Sequence, residues 1–366
     1  MTILSKILHA LLILLLPVAF VSCGATDYAG GGIGGTGISV GKITAFGSVW
    51  VNGVEYSTTG AIISIEGTES ISDGSVEYDR SLLDEGKIVT VYWAKDANGN
   101  PVAERIEFKD NLEGPMTGIN IGTPTFEVLG QTVEIDVSTV FEDSRNDLKI
   151  SGNIEAILAA IVAGNIIEVS GYVDVNGMIH ATYIELKLSE FTPGVTKVEI
   201  KGVITNLDTP SGTFTIGNLS VDYNSETELP TSGLSNDMYV EVKGILDYSG
   251  LVLNATKIEL EDDIFEEISG KKIEIEGIVT TIVDVNGQFE VNRRSVRIIT
   301  GTTLCENCAI ETDILPGVEI EVEGTVDENG VIVADKIEIE SGDDGNDESE
   351  DGSSDDSDNE AGDDAP

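Results

Sequence analysis

A few groups of side chains in this sequence have the types and spacing that chemistry requires. Cys305 and Cys308 form a C-x-x-C segment, and two such thiols can close a disulfide, cycle as a redox pair or supply half of a tetrahedral zinc site. Zinc wants two further ligands, and no histidine lies nearby in sequence. A redox pair wants its first thiol at a helix N-terminus in a thioredoxin-like setting. A local disulfide that pins a loop in an oxidising compartment is the favoured reading. Asp96, Asp174, Asp284 and Asp327 each open an Asp-x-Asn-Gly tetrapeptide. Alternating oxygen ligands before a glycine bend resemble the opening of a calcium loop, but none continues to the bidentate Glu that completes one. Asp and Asn also suit tight turns for backbone reasons alone, so the turn reading is preferred and calcium is kept as a candidate ligand. Arg293, Arg294 and Arg297 make a local basic cluster, expected to pair with glutamates across strands. His180 has no serine or cysteine nucleophile that the sequence places beside it. No catalytic, cofactor or metal residue is assigned, and the chain is read as not an enzyme.

These candidates sit in a strongly acidic chain of 366 residues, with 66 Asp and Glu against 20 Lys and Arg and a formal net charge of −46. Nucleic acids and anionic headgroups are polyanions, so their ordinary electrostatic capture is excluded. A hydrophobic content of 40% still permits cores and separates the chain from a wholly disordered acidic protein. Trp50 and Trp93 are read as core residues; an exposed one would offer a platform to a glycan or peptide. The carboxylates fall at outward strand positions, where a solvated face is expected. Segment 341–366 is acidic, rich in Ser and Gly and without a base, and reads as a disordered tail.

The elements that must hold these residues repeat four times. Segments 89–108 (VTVYWAKDANGNPVAERIEF), 167–186 (IEVSGYVDVNGMIHATYIEL), 240–260 (VEVKGILDYSGLVLNATKIEL) and 320–339 (IEVEGTVDENGVIVADKIEI) share one pattern. Each has an alternating run, a turn and a second alternating run, which is a β-hairpin. Asn98-Gly99, Asn176-Gly177 and Asn329-Gly330 suit the two central turn positions, with Ser249-Gly250 the weaker variant. An earlier motif opens each unit at Gly41, Gly118, Gly202 and Gly277. Short runs between motif and hairpin bring each unit to about five strands. In the second unit, Ile154, Ile157, Leu158 and Ile161 fall at helical spacing, with Asn153 as N-cap and Gly164 as stop. The fold class is therefore all-β: four tandem small five-stranded OB-like barrels over 38–112, 113–192, 193–266 and 267–340, with small β-sandwiches as the alternative. The units are read as separate beads, each with its own modest core.

Ahead of the repeats, segment 1–22 carries Lys6 and an apolar run over 7–21, shorter than the roughly 20 residues that span a bilayer. It reads as a signal peptide. Its end, Phe20-Val21-Ser22-Cys23, resembles the lipobox of bacterial lipoproteins, although Phe20 stands where Leu is usual. That resemblance implies cleavage before Cys23 and lipidation of its thiol, and Gly24 resembles the sorting pattern for the outer membrane. Segment 23–37 is glycine-rich and reads as a flexible, lipid-anchored tether. The expected location is the bacterial cell envelope, facing the periplasm or the cell surface.

The entry GGGIGGTGISVGKITAFGSVWVNGVEY at 30–56, and the VEVKG, turn, ATKIELE arrangement closing each unit, resemble the bacterial family of domain of unknown function 5666. The likeness covers nearly all of 30–340, including FEVLGQTVEIDVSTVFED at 126–143. The fourth unit departs at 292–297 and by inserting two cysteines. Membership implies secreted or lipid-anchored β-rich repeat proteins and no particular activity. The function expected is a non-catalytic, lipid-anchored envelope protein, an acidic β-repeat spacer and binding scaffold. Its membrane contact runs through the lipid, it takes no nucleic acid, and its protein or glycan partner is unknown. The alternative is a calcium-dependent adhesion or matrix protein, and an envelope enzyme ranks third.

Overall fold

The computed structural model of the protein describes residues 36–247, 252–261, 268–284, 286–306 and 308–339. The expected signal peptide, Cys23, the tether up to residue 35, the Ser249-Gly250 turn and the acidic tail lie outside the described residues. The first repeat comprises β1 (Thr36–Phe46), β2 (Val49–Val51), β3 (Val54–Tyr56), β4 (Ile62–Ile65), β5 (Thr68–Ile71), α1 (Val76–Arg80), β6 (Ile88–Lys95) and β7 (Pro101–Phe108). The second comprises β8 (Leu112–Asn120), β9 (Thr125–Val128), β10 (Gln131–Asp143), β11 (Leu148–Ser151), α2 (Ile154–Ala160), β12 (Ile166–Val173) and β13 (Ile179–Leu188). The third comprises β14 (Lys197–Val203), β15 (Thr205–Asp208), β16 (Thr213–Ile216), β17 (Leu219–Asp222), β18 (Tyr239–Leu246) and β19 (Val252–Leu260). The fourth comprises β20 (Lys272–Ile278), β21 (Gln288–Val291), β22 (Arg294–Ile298), β23 (Leu304–Glu306), α3 (Ile310–Asp313), β24 (Glu319–Val326) and β25 (Ile332–Ile339).

Period-2 alternation builds each barrel by giving its main strands an apolar face. In β6, for example, Val89, Val91 and Trp93 are buried. Each repeat closes in the same order: its first strand pairs with the penultimate one, the last two form a hairpin, and the last runs parallel to a strand from the middle of the repeat. The parallel pairs are β4 with β7, β10 with β13, β17 with β19 and β22 with β25. This is the OB-like barrel. The second repeat closes through continuous ladders, β8-β9-β10-β13-β12-β8. The first uses a Ser57–Val102 bridge and the fourth a Val279–Val291 bridge, while in the third the first strand bends at Ile204 into β15. The helix expected in the second repeat is α2, and the Asn153 side chain accepts the Ala156 N–H at 3.0 Å.

One glycine of the opening motif is placed differently from the sequence reading. Gly41, Gly202 and Gly277 pair with Val89, Val240 and Ile320, but the residue facing Ile167 is Gly114, not Gly118. At these positions the first strand presses on the hairpin between the second and third. An added Cβ would lie 1.8 Å from Asn52 Oδ1 at Gly41, 2.5 Å from Leu129 Cγ at Gly114 and 2.0 Å from Asn292 Nδ2 at Gly277. Gly118 has nothing within 4 Å. The motif passes over Gly114 because Pro115 and Met116 stand where Gly41-Lys42-Ile43-Thr44 has Lys42 and Ile43.

The barrels are not separate beads. β1 pairs in parallel with β20, joining the first repeat to the fourth through Gly37–Lys272 to Val40–Ile275. β8 pairs antiparallel with β14, joining the second to the third. Two composite sheets result, and the apolar cores of the second and third repeats run together. Each barrel therefore shares the edge of its first strand with another barrel.

Candidate functional site

The residues singled out by the sequence are dispersed. Cys305 and Cys308 are joined as a disulfide, with Cα atoms 5.4 Å apart, between β23 and the start of α3. In the Asp-x-Asn-Gly turns the aspartates already have partners. Asp174 Oδ1 accepts the N–H groups of Asn176 and Met178 at 2.8 and 2.9 Å, and Asp96, Asp284 and Asp327 do the same with their own loops. These bonds hold Asp96, Asp284 and Asp327 below the usual carboxylate range, although for Asp327 burial, the largest single influence, works the other way. The arginines separate as well. Arg297 reaches Asp327 at 2.8 Å, whereas Arg293 lies over the Tyr239 ring of the third repeat at 4.9 Å. His180 Nδ1 is 2.7 Å from Glu134, and its Nε2 is 3.7 Å from Asp174. Trp93 is core, and Gly37 leaves room for its ring, since a Cβ there would stand 2.7 Å from the indole.

What the fold does bring together is a set of polar residues from all four repeats. The segment Lys109-Asp110-Asn111, which leads from β7 into β8, is its hub. Asn111 N–H donates to Val169 O, its Oδ1 accepts from Gly171 N–H, and its carbonyl accepts from Lys201 N–H. Asp110 N–H donates to Glu66 Oε1 at 2.8 Å, and Lys201 Nζ donates to the Asp110 carbonyl. Lys109 reaches Glu261 at 2.9 Å. Here the four barrels meet around a half-open pocket of about 340 Å³, lined among others by Asp110, Tyr172, Lys201, Tyr239, Glu276 and Arg293. Two buried polar atoms at it, Asp110 Oδ1 and Tyr172 Oη, have no hydrogen-bond partner, while Glu276 Oε1 lies 2.7 Å from Lys42 Nζ.

Beside the cavity the sheet stacks like charges. Glu185 faces Glu168 across β13 and β12, Glu168 faces Glu113 across β12 and β8, and Glu113 faces Glu199 across β8 and β14. Directly opposed like charges destabilise a sheet, and here some are buried: Glu168 is 4% exposed, Glu241 5% and Asp110 2%. The expectation of a solvated acidic face fails at this junction, because the outer faces of the barrels cover one another. Lysines offset part of the charge. Lys187 lies 2.9 Å from Glu168, Lys243 lies 2.7 Å from Glu199 and 3.3 Å from Glu66, and the buried Lys87 lies 3.6 Å from Glu168. The rest is visible in the titration of the carboxyls. Burial, reinforced by Glu66, Glu168 and Glu113, pushes Asp110 well up. Burial likewise raises Glu113, with Glu168 and Glu185 adding to it. Burial, and then a hydrogen bond with Glu241, pushes Glu199 up to about 10. Burial raises Glu274 and Glu276 of β20 to about 7.

Sequence reasoning missed Asp110, Glu113, Glu168 and Glu199. Glu168 and Glu241 occupy the same place in the V-E-V pattern of their repeats, but that pattern reports only a barrel's own inside and outside.

The architecture is thus a protein of four OB-like barrels in one chain, joined edge to edge around a polar junction. Its repeats match the family described as Domain of unknown function (DUF5666) over residues 40–107, 113–185, 201–259 and 276–338, and the chain belongs to that family. No curated protein matches it. Among the described residues, no helix is long and apolar enough to cross a membrane.

Proposed function

We propose that this chain is a non-catalytic, lipid-anchored scaffold of the bacterial envelope, whose four barrels together present one binding cavity. The observation that carries this reading is the junction cavity, to which every repeat contributes and in which buried polar atoms stand unpartnered. A simple spacer has no need to fold its repeats back on one another, whereas a binding body gains a pocket by doing so. The anchor rests on the lipobox-like Phe20-Val21-Ser22-Cys23 and the glycine-rich tether behind it. Adhesion through the Asp-x-Asn-Gly turns is the weaker alternative, because those carboxylates already accept backbone N–H groups.

Two measurements test the proposal. Radiolabelled palmitate enters the wild type and not Cys23→Ala; equal labelling removes the anchor. A soluble fragment spanning 36–339 has a radius of gyration near the ~19 Å of a compact chain of that length. A markedly larger value restores the string-of-beads spacer.

A further inference from the structure

Two triads of carboxylates meet at the linker between the first two repeats. Ligand oxygens of Glu66, Asp110 and Glu199 lie within 4.8 Å of one another, and so do those of Asp110, Glu113 and Glu168. Proximity of acids alone does not make a site. The independent observation is Asp110, whose side chain is 2% exposed and whose Oδ1 is buried without any hydrogen-bond partner. The two triads differ in what their oxygens already do. In the first, Glu66 accepts the Asp110 N–H and Lys243, and Glu199 is 2.7 Å from Lys243. In the second, Glu168 Oε2 accepts Lys187 at 2.9 Å, but Asp110 Oδ1 and Glu168 Oε1 both lack hydrogen bonds, and Glu113 faces Glu168 directly across the strands. Lys87 stands 3.6 Å from Glu168 Oε1, outside hydrogen-bonding reach.

We propose that Asp110, Glu113 and Glu168 bind a calcium ion that ties the linker to the second barrel. The ligand set is all oxygen, which selects a hard cation. Oxygens spread over up to 4.8 Å are bridged by Ca–O bonds of about 2.3–2.6 Å, whereas magnesium needs about 2.0–2.1 Å and near-ideal octahedral geometry. The ion also accounts for Glu113 and Glu168 placed opposite one another on β8 and β12, since it converts their repulsion into shared coordination. The site is distinct from the Asp-x-Asn-Gly turns, and it joins the linker of the first repeat to β8 and β12 of the second. It does not depend on lipid anchoring, and it shares Asp110 with the lining of the cavity.

The test is calcium titration of the chelator-treated full chain in nonionic detergent, by calorimetry at 150 mM salt to suppress loose surface association. The wild type and the turn variant Asp284→Asn are expected to show one saturable calcium site that equimolar magnesium does not fill. In Asp110→Asn and in Glu113→Gln its affinity drops at least tenfold. In chelator, Asp110→Asn melts no lower than the wild type, because it replaces a buried carboxyl whose Oδ1 has no hydrogen-bond partner, yet it loses the calcium-induced rise in melting temperature. Unchanged saturable binding in both variants overturns the proposal, as does equal filling by magnesium or only non-saturating association in the wild type.

Discussion

Substituting Gly114 and Gly118 separately tests the repeat register, because the sequence motif selects one and the structure the other. At Gly114 a methyl group would stand 2.5 Å from Leu129 Cγ and 2.8 Å from both Cδ atoms. Leu129 cannot easily retreat. It is fully buried, and with Gly130 it forms the two-residue tip between β9 and β10 at positive φ, +50° for Leu129 and +73° for Gly130. Overpacking of this kind costs about 1–3 kcal/mol, and complete expulsion of the leucine forfeits about 1.5–3 kcal/mol of burial. Gly114→Ala is therefore expected to destabilise by about 2–3 kcal/mol. At Gly118 nothing lies within 4 Å, so Gly118→Ala should fall within about 0.5 kcal/mol of the wild type. Urea unfolding followed by far-ultraviolet circular dichroism reads the difference as a midpoint lower by on the order of 1 M for Gly114→Ala alone. Equal midpoints, or a larger loss for Gly118→Ala, would refute the equivalence of Gly114 with Gly41 and Gly277.

Replacing Asp174 by Ala removes two hydrogen bonds from backbone N–H groups and should cost about 1–2 kcal/mol while leaving calcium affinity unchanged; thermal melts and calorimetry check both. Lys87→Met removes a buried cation that stands 3.6 and 3.9 Å from Glu168 and Glu185 and over the rings of Phe108 and Tyr183. With Lys187 still in place, the loss should be about 3 kcal/mol, near the lower end for a broken buried pair, and a melting point equal to the wild type would count against a closed contact between the first two repeats. In chelator, melting temperature should fall as pH rises from 5 to 8. Glu274 and Glu276 are raised from the ordinary 4.5 to about 7, so their protonated forms stabilise the fold fully below pH 4.5, and that contribution is lost through pH 7. Each unit of difference is worth about 1.4 kcal/mol. Glu274→Gln should flatten the profile, and a melting point that climbs over this range contradicts the assigned burial.

The parts of the fold that were legible in the sequence are those set by neighbours along the chain. Alternation located the final hairpins, the Asn-Gly turns fixed where they reverse, and Asn153 marked the start of α2. These signals are local because side-chain period and turn geometry are local. The junction was not legible for the same reason. An outward Glu on a strand is written identically whether water or another barrel covers it, so Glu168 and Glu241 looked like solvated residues. Asp110 gave no signal at all, since a lone linker aspartate matches no spacing rule. The seat of Leu129 under Gly114 was hidden because leucine is a poor choice at positive φ; only its tertiary contact explains it.

The pairing of the repeats follows from an edge that a lone barrel leaves open. In β1 the segment from Gly37 to Val40 hydrogen-bonds β6 on one side and would present a bare edge on the other, but β20 occupies it. Ile38 is packed into the core of the fourth repeat rather than its own. Exposed strand edges template association with other chains, so repeats that pair their first strands within one chain remove the hazard without charges or prolines on the edge. An even number of repeats satisfies this arrangement and an odd number does not. A chain lacking 262–366 keeps the second and third barrels paired but leaves β1 open with Ile38 uncovered. It should self-associate, whereas the four-repeat chain stays monomeric in sedimentation velocity at the same concentration. Adding Lys at Ile38 in the shortened chain should restore the monomer by charging the open edge. A shortened chain that is monomeric and folded without that change would show that β1 needs no partner, and edge pairing would then not be what holds the first repeat to the fourth.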